Sequence, residues 1–303
     1  MPIIEVTHLS KRYAGGRGVD DVSFAVDEGE IFGILGPNGA GKSTTVECIG
    51  GLRVRDGGHL RVAGHDPGRE PLELRKILGI QLQESVLPDK MRVGEAMELF
   101  ASFYDRPANT DELIERLGLG KHRKMFFANL SGGQKQRLAI GIALVGRPRV
   151  AILDELTTGL DPQARHEVWS LLEDLRSTGL TLLLVSHFME EAQRLCDRVA
   201  VIADGTVAAL GSPAELAARG GSAQIVSFIP SGPVDVEDLR VLSSVTDVDQ
   251  HGLEIRVAGN EDVLDEVLAA LRSRGVRAAH VRVDQPTLDD AFVSLVTDRK
   301  ADR

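Results

Sequence analysis

An α/β fold is predicted for this chain: a mainly parallel sheet flanked by helices, with a helical insertion and a small α+β domain behind it. Three observations carry the expectation. Short β-branched runs alternate with helical or loop stretches along most of the sequence. Between Glu84 and Val145 apolar residues recur three and four apart instead. After Gly220 and Gly221 the strand pattern starts afresh.

The strand-like runs come in the order IIEV, VSFAV, IFGIL, RVAILD, TLLLVS and RVAVIA. The helical insertion is read from MRVGEAMELFASFY and DELIERLGL. Turn signals in ADGTV and LGSP lead into a short helix, AELAAR, which ends at the glycine pair. A boundary near Ser222 follows, so residues 1–221 form the first domain, with the helical subdomain at about 84–145, and residues 222–303 form the second. In the second, strands QIVSFI, LEIRVA and AAHVRV accompany a helix whose Leu264, Val267, Leu268 and Leu271 make one apolar stripe.

Composition narrows the function classes. With 43% hydrophobic and 26% charged residues the chain reads as an ordinary soluble globular protein. The net charge of −10, of which −6 lies beyond residue 221, argues against a partner held by phosphate attraction, so no nucleic acid is expected. Cys48 and Cys196 lack metal-ligand spacing and read as two small side chains in a reducing compartment. The beginning of the chain, MPIIEVTHLSKRY, has no long apolar segment, and apolar runs elsewhere have strand length, so neither a signal peptide nor a membrane span is expected.

Directly after IFGIL comes Gly36-Pro37-Asn38-Gly39-Ala40-Gly41-Lys42-Ser43-Thr44, a G-x-x-x-x-G-K-[ST] run between a strand and a helix. Its glycines let successive backbone N–H groups turn into one concavity, and the helix dipole adds positive potential there. A polyphosphate suits that cradle. Lys42 would meet the β and γ phosphates, and the Ser43 hydroxyl would coordinate magnesium.

The run AILDELTTGLDP then raises a question, because a buried strand avoids adjacent acids unless a cation is near. Asp154, at the strand end, has the character of the acid that faces the magnesium ion (Mg2+). Glu155, one residue on, points elsewhere and is placed to orient or deprotonate a water attacking the γ-phosphate. A second anion-ready helix start occurs at Leu130-Ser131-Gly132-Gly133-Gln134. Geometry alone favours simple N-capping by Ser131 there.

LSGGQ followed by VAILDE, TTGLD and a histidine after LLLVS resembles the motif order of ATP-binding-cassette (ABC) ATPases, over approximately residues 3–215. The resemblance implies the fold of P-loop NTPases of the ABC type, with ATP and magnesium as cofactors. It further implies that Tyr13 stacks on adenine, that Gln83 touches magnesium and water, that Asp161 reaches across a dimer, and that His187 senses the γ-phosphate. Without the family, Tyr13 reads as a surface tyrosine, Gln83 as an exposed amide and His187 as a structural histidine. One position departs: the family has Pro directly after the acid pair, and this chain has Leu156, which restores an N–H and loosens φ.

The family also implies a head-to-tail dimer, of two copies or of this chain with a related ATP-binding subunit. ATP on one Lys42 loop is then capped by Ser131 and Gly133 of the other chain. A separate integral membrane permease would carry the substrate, placing this chain peripherally on the cytoplasmic face of the membrane. Its docking groove is expected around Gln83 and ESVLPDKMRVGEAMELF, although Val86, Leu87, Met91 and Met97 suit a subdomain core equally well. The segment from Ser222, ending PTLDDAFVSLVTDR, resembles the C-terminal domain of ATP-binding subunits from bacterial drug, antibiotic and polysaccharide exporters. In its last helix Leu288, Phe292 and Leu295 share a face. A non-transport cassette protein would need tandem cassettes or a long coiled coil, and neither appears in the sequence. A regulator without turnover would need Glu155 to be absent or misplaced.

Overall fold

A computed structural model of the chain describes residues 2–15, 18–81, 87–219, 224–260, 262–284, 287–289 and 291–292. The chain divides into two compact units, residues 1–213 and 214–303. The division falls after the first residue of the short helix at Pro213–Arg219, whereas the sequence reading puts it behind that helix.

The first unit opens with β1 (Pro2–Arg12), β2 (Gly18–Asp27) and β3 (Ile31–Leu35), followed by α1 (Lys42–Ile49), β4 (Gly57–Val62), α2 (Pro71–Ile77) and β5 (Leu78–Gln81). The helical insertion holds α3 (Val93–Ala101), α4 (Thr110–Arg116) and α5 (Gly132–Leu144), with single 3-10 turns at Gly120–His122 and Phe127–Asn129. Then come β6 (Val150–Asp154), α6 (Pro162–Arg176), β7 (Thr181–Val185), α7 (Met189–Leu195), β8 (Arg198–Ala203) and β9 (Thr206–Gly211). The nine strands form one sheet in the order β4-β1-β2-β9-β8-β3-β7-β6-β5.

Its centre, β8-β3-β7-β6-β5, is parallel throughout. Every residue of β3, β6 and β7 is buried, as expected of strands covered on both faces. The other end departs from the predicted mainly parallel sheet: β1 runs antiparallel to both β2 and β4, and β9 antiparallel to β8. Connection length explains the difference. Only residues 13–17 join β1 to β2, too few for the crossover that a parallel pair needs.

In the helical insertion the amphipathic stripe predicted for α3 is real: Val93, Ala96 and Met97 are buried while Glu95 and Glu98 are exposed. Met97 packs against Gly141 of α5, where an added Cβ would lie 3.2 Å from the Met97 sulfur. Met97 is thus a core residue, Leu87 and Met91 are half-buried, and Val86 lies outside the described residues. Arg92 and Glu95 close a capping box at the start of α3, and Asn109 caps α4 through the N–H groups of Asp111 and Glu112.

Between the units' sheets lies α8 (Pro213–Arg219) in sequence, and the second unit continues with β10 (Gln224–Pro230), α9 (Glu237–Arg240), β11 (Val245–His251), β12 (Glu254–Gly259), α10 (Val263–Ser273) and β13 (Ala278–Asp284). The sheet order β11-β12-β10-β13, antiparallel at each pairing, makes this a β-α-β-β-α-β unit. Val226, Phe228, Ile255 and Val257 bury one face of the sheet under Val263, Val267 and Leu271 of α10. The stripe therefore centres on a four-residue repeat, with Leu264 and Leu268 half-buried beside it. Leu288 is buried and Phe292 half-buried, while Leu295 lies outside the described residues. Cys48 and Cys196 are both free and buried, and burial pushes the Cys48 thiol up to about 11.

Candidate functional site

The phosphate cradle forms because β3 ends on a glycine that nothing larger could replace. A Cβ on Gly36 would run into the Ile202 carbonyl of β8. Gly41, the residue before α1, has φ 106°, and a Cβ there would lie 2.8 Å from Val19 Cγ1 and 2.9 Å from the Gly18 oxygen. No side chain caps α1, so its first N–H groups face the loop as donors for an anion. Gly41→Ala is expected to cost about 1–3 kcal/mol of stability through backbone strain and to abolish nucleotide binding. Thermal denaturation and titration with a fluorescent ATP analogue check the two effects.

Lys42 is buried at the start of α1, and its ammonium donates to the carbonyl oxygens of Gly36 (2.8 Å) and Pro37 (3.1 Å). Burial lowers its pKa, and the nearby charges of Glu155 and Asp154 oppose that shift. Ser43 is exposed and Thr44 half-buried, whereas the hydroxyl of the fully buried Thr45 donates to the Gly41 oxygen (2.9 Å) and locks the first turn. Asn38 and Gly39 are exposed at the loop tip, and the Ala40 N–H closes the loop onto the Pro37 carbonyl (3.2 Å).

Parallel pairing of β3, β7 and β6 delivers the remaining groups to the same edge of the sheet. The Ser186 N–H reaches the Ile34 carbonyl (3.3 Å) and the Glu155 N–H the Val185 carbonyl (2.9 Å), lacing the three strand ends together. Asp154 is buried; burial, then the Glu155 charge beside it, pushes its carboxyl up to about 6, with Lys42 pulling the other way. That answers the question posed by the adjacent acids: they share one ammonium, which does not fully offset them. Glu155 sits in the left-handed region at φ 50°, which turns its side chain out of the strand alternation. Its Oε1 lies 3.3 Å from His187 Nδ1, and the His187 ring packs on Phe188 at 4.1 Å between centroids. Leu156 is buried, so apolar packing anchors the turn at the position where the family has proline.

Asp154 and Ser43 offer hard oxygen donors, and Asp154 carries a charge that the protein leaves incompletely neutralised. Among the described residues no group of three His, Cys, Asp or Glu could cage a metal. Both facts suit magnesium, which keeps water and phosphate oxygens in its shell and takes few protein ligands.

Ser131 and Asp161 stand at the starts of α5 and α6. Each caps a helix: Ser131 Oγ accepts from the Gln134 N–H (3.3 Å), the Gln134 side chain accepts from the Ser131 N–H (2.9 Å), and Asp161 Oδ1 accepts from the Ala164 N–H (2.9 Å). The two helix starts adjoin, since a Cβ on Gly133 would lie 3.0 Å from Ala164 and one on Gly132 3.3 Å from Leu160. Ser131, Gly132 and Asp161 are exposed, whereas Gly133, which the resemblance pairs with Ser131 in capping a partner's ATP, is buried. The capping reading of Ser131 therefore holds within one chain.

Tyr13 is half-exposed just past β1, with the Arg53 guanidinium 5.9 Å from its ring centre. Gln83 lies outside the described residues. Sequence reasoning missed Gln81, a buried amide at the end of β5 whose Oε1 accepts from the Asp154 N–H (3.1 Å). The signal for it was there in LGIQ, an apolar run ending in a polar residue just as VAILD does.

The ABC transporter family profile matches residues 19–158. The linearmycin resistance ATP-binding protein LnrL of Bacillus subtilis is 33% identical over 304 residues, covering 97% of this chain and 98% of that protein. The daunorubicin resistance ATP-binding protein DrrA3 of Streptomyces coeruleorubidus is 36% identical over 303 residues, covering 97% and 96%. A Nod factor export ATP-binding protein I, from Ralstonia nicotianae, is 40% identical over 220 residues, covering 71% and 68%. Among solved structures, the ATP-binding subunit of an ABC transporter superposes with a TM-score of 0.65 at 30% identity, covering 72% of this chain and 93% of the other. The first two relatives extend through the second unit as well as the first. No helix among the described residues is long and apolar enough to cross a membrane. A phosphate cradle, an acid pair and a capped glycine-rich helix start on this scaffold, with relatives matching end to end, lead to one assignment: the chain belongs to the ABC transporter family, as an ATP-binding subunit.

Proposed function

We propose that this chain hydrolyses ATP to ADP and phosphate and thereby energises export through a separate integral membrane permease. The observation that supports this reading is that one chain carries two groups of candidate residues. Lys42, Asp154, Glu155 and His187 converge at the ends of β3, β6 and β7, whereas Ser131 and Asp161 open to solvent at the starts of α5 and α6. Two copies related by a two-fold axis make two complete sites from these halves.

In that arrangement the Lys42 loop binds the β and γ phosphates, Tyr13 stacks on the adenine, and Ser131 and Gly133 of the second copy cap the γ-phosphate. Asp154, Ser43 and Gln83 would hold magnesium, which supplies charge neutralisation of the phosphates when bound. Glu155 takes a proton from, or orients, the water in line with the γ-phosphate, and His187, 3.3 Å from it, senses that phosphate. Asp161 links the two copies.

The names of the relatives support a drug-like, lipid or polysaccharide cargo, and the net charge of −10 supports a partner other than nucleic acid. The chain then works peripherally on the cytoplasmic face of the cell membrane. The test is purification of the tagged chain from solubilised membranes. The expected result is an integral membrane protein that co-isolates and changes the ATPase rate. Recovery with ribosomes or chromosomal material alone contradicts the transport reading.

A further inference from the structure

The two acids at the end of β6 are held in place by different means. Pairing between β6 and β7 continues as far as Asp154 opposite Val185, and the Glu155 N–H donates to a main-chain carbonyl beyond it. On the other flank, among the described residues, pairing between β5 and β6 runs to Gln81 opposite Leu153. The Asp154 N–H points to that flank and finds the Gln81 side-chain oxygen at 3.1 Å. Both residues are almost wholly buried, Gln81 at 4% and Asp154 at 6% exposure, so water does not stand in readily for the amide.

No side-chain substitution removes the bond that positions Glu155, but a single one removes the bond that positions Asp154. We infer that Gln81 is a positioning residue for the divalent-cation site: its amide oxygen accepts from the buried Asp154 N–H and keeps that carboxylate aimed at the cation bound with the nucleotide. The inference rests on the reading of Asp154 as the magnesium acid.

The experiment compares wild type with Gln81→Met, which keeps the volume and loses the acceptor, Gln81→Glu, which keeps an acceptor oxygen, and Asp154→Asn. Binding of a fluorescent ATP analogue is titrated in EDTA and then against magnesium, and melting temperatures are recorded alongside. In EDTA the two Gln81 variants are expected to bind within about twofold of wild type, because the Lys42 loop is untouched. The magnesium concentration for half-maximal enhancement of binding should rise by about five- to tenfold in Gln81→Met, and stay within about twofold in Gln81→Glu. A Gln81→Met protein with lowered melting temperature but unchanged magnesium requirement makes Gln81 purely structural and overturns the inference. Should Gln81→Met fail to fold, a Gln81→Glu requirement raised as far as that of Asp154→Asn overturns it equally. An Asp154→Asn protein with unchanged requirement removes the magnesium assignment, and the inference with it.

Discussion

Glu155→Gln is expected to lower ATP turnover by about a hundredfold or more while leaving ATP affinity close to that of the wild type. The substitution keeps the size of the side chain and a polar contact to His187, 3.3 Å away, but removes the basic oxygen. General-base assistance contributes about 10²–10⁴-fold, and Asp154 is poorly placed to take over: it is buried, feels the Lys42 charge, and its main-chain N–H is held by the Gln81 side chain. Glu155 sits at φ 50°, a conformation that glutamine adopts at the same steric cost, so the loss is chemical and not conformational. Phosphate release under saturating ATP measures it. A wild-type rate indistinguishable from that of Glu155→Gln would instead make the chain a nucleotide-dependent regulator.

Lys42→Ala acts one step earlier and is expected to weaken ATP binding by roughly ten- to a hundredfold. The ammonium is already desolvated and already directed into the loop, where it bonds the Gly36 and Pro37 carbonyls. Phosphate oxygens exchange for those carbonyls at little added desolvation cost, so the hydrogen bonds to charge are gained almost in full, at about 1.5–3 kcal/mol. The substitution also removes the Lys42 charge that offsets those of Asp154 and Glu155, which raises the Asp154 pKa further in the nucleotide-free chain. Isothermal titration gives the affinity, and the loss of ATP-dependent thermal stabilisation reports it independently.

What could be read from the sequence divides along physical lines. The cradle from Gly36 to Thr44 was legible because its shape is coded locally: a strand, glycines at a tight turn, a lysine at a helix start. The acid pair was legible for the same reason, since two acids closing an apolar run call for a cation wherever they occur. The antiparallel end of the sheet was legible only through connection length, and the reading of a mainly parallel sheet passed over the short link between β1 and β2. Gln81 was legible only as a polar residue closing the apolar run LGIQ; its partner was not, because that depends on the register that sets it opposite Leu153, far away in sequence. Met97 shows the limit of helical stripes: the same periodicity serves a docking face and a packed core, and the close approach of Gly141 decides for the core. Ser131 shows a different limit. N-capping and lid formation require the same residue in the same place, so one chain by itself fits both readings.

Sedimentation of the Glu155→Gln protein, alone and combined with Ser131→Arg, therefore reaches the core of the account, because it separates what one copy does from what two do together. With ATP and magnesium the Glu155→Gln chain should run as a dimer and without ATP as a monomer, and adding Ser131→Arg should hold it as a monomer that still binds ATP through its intact Lys42 loop. A nucleotide-loaded Glu155→Gln chain that stays monomeric even with its membrane partner present, or a dimer indifferent to Ser131→Arg, would contradict the shared site.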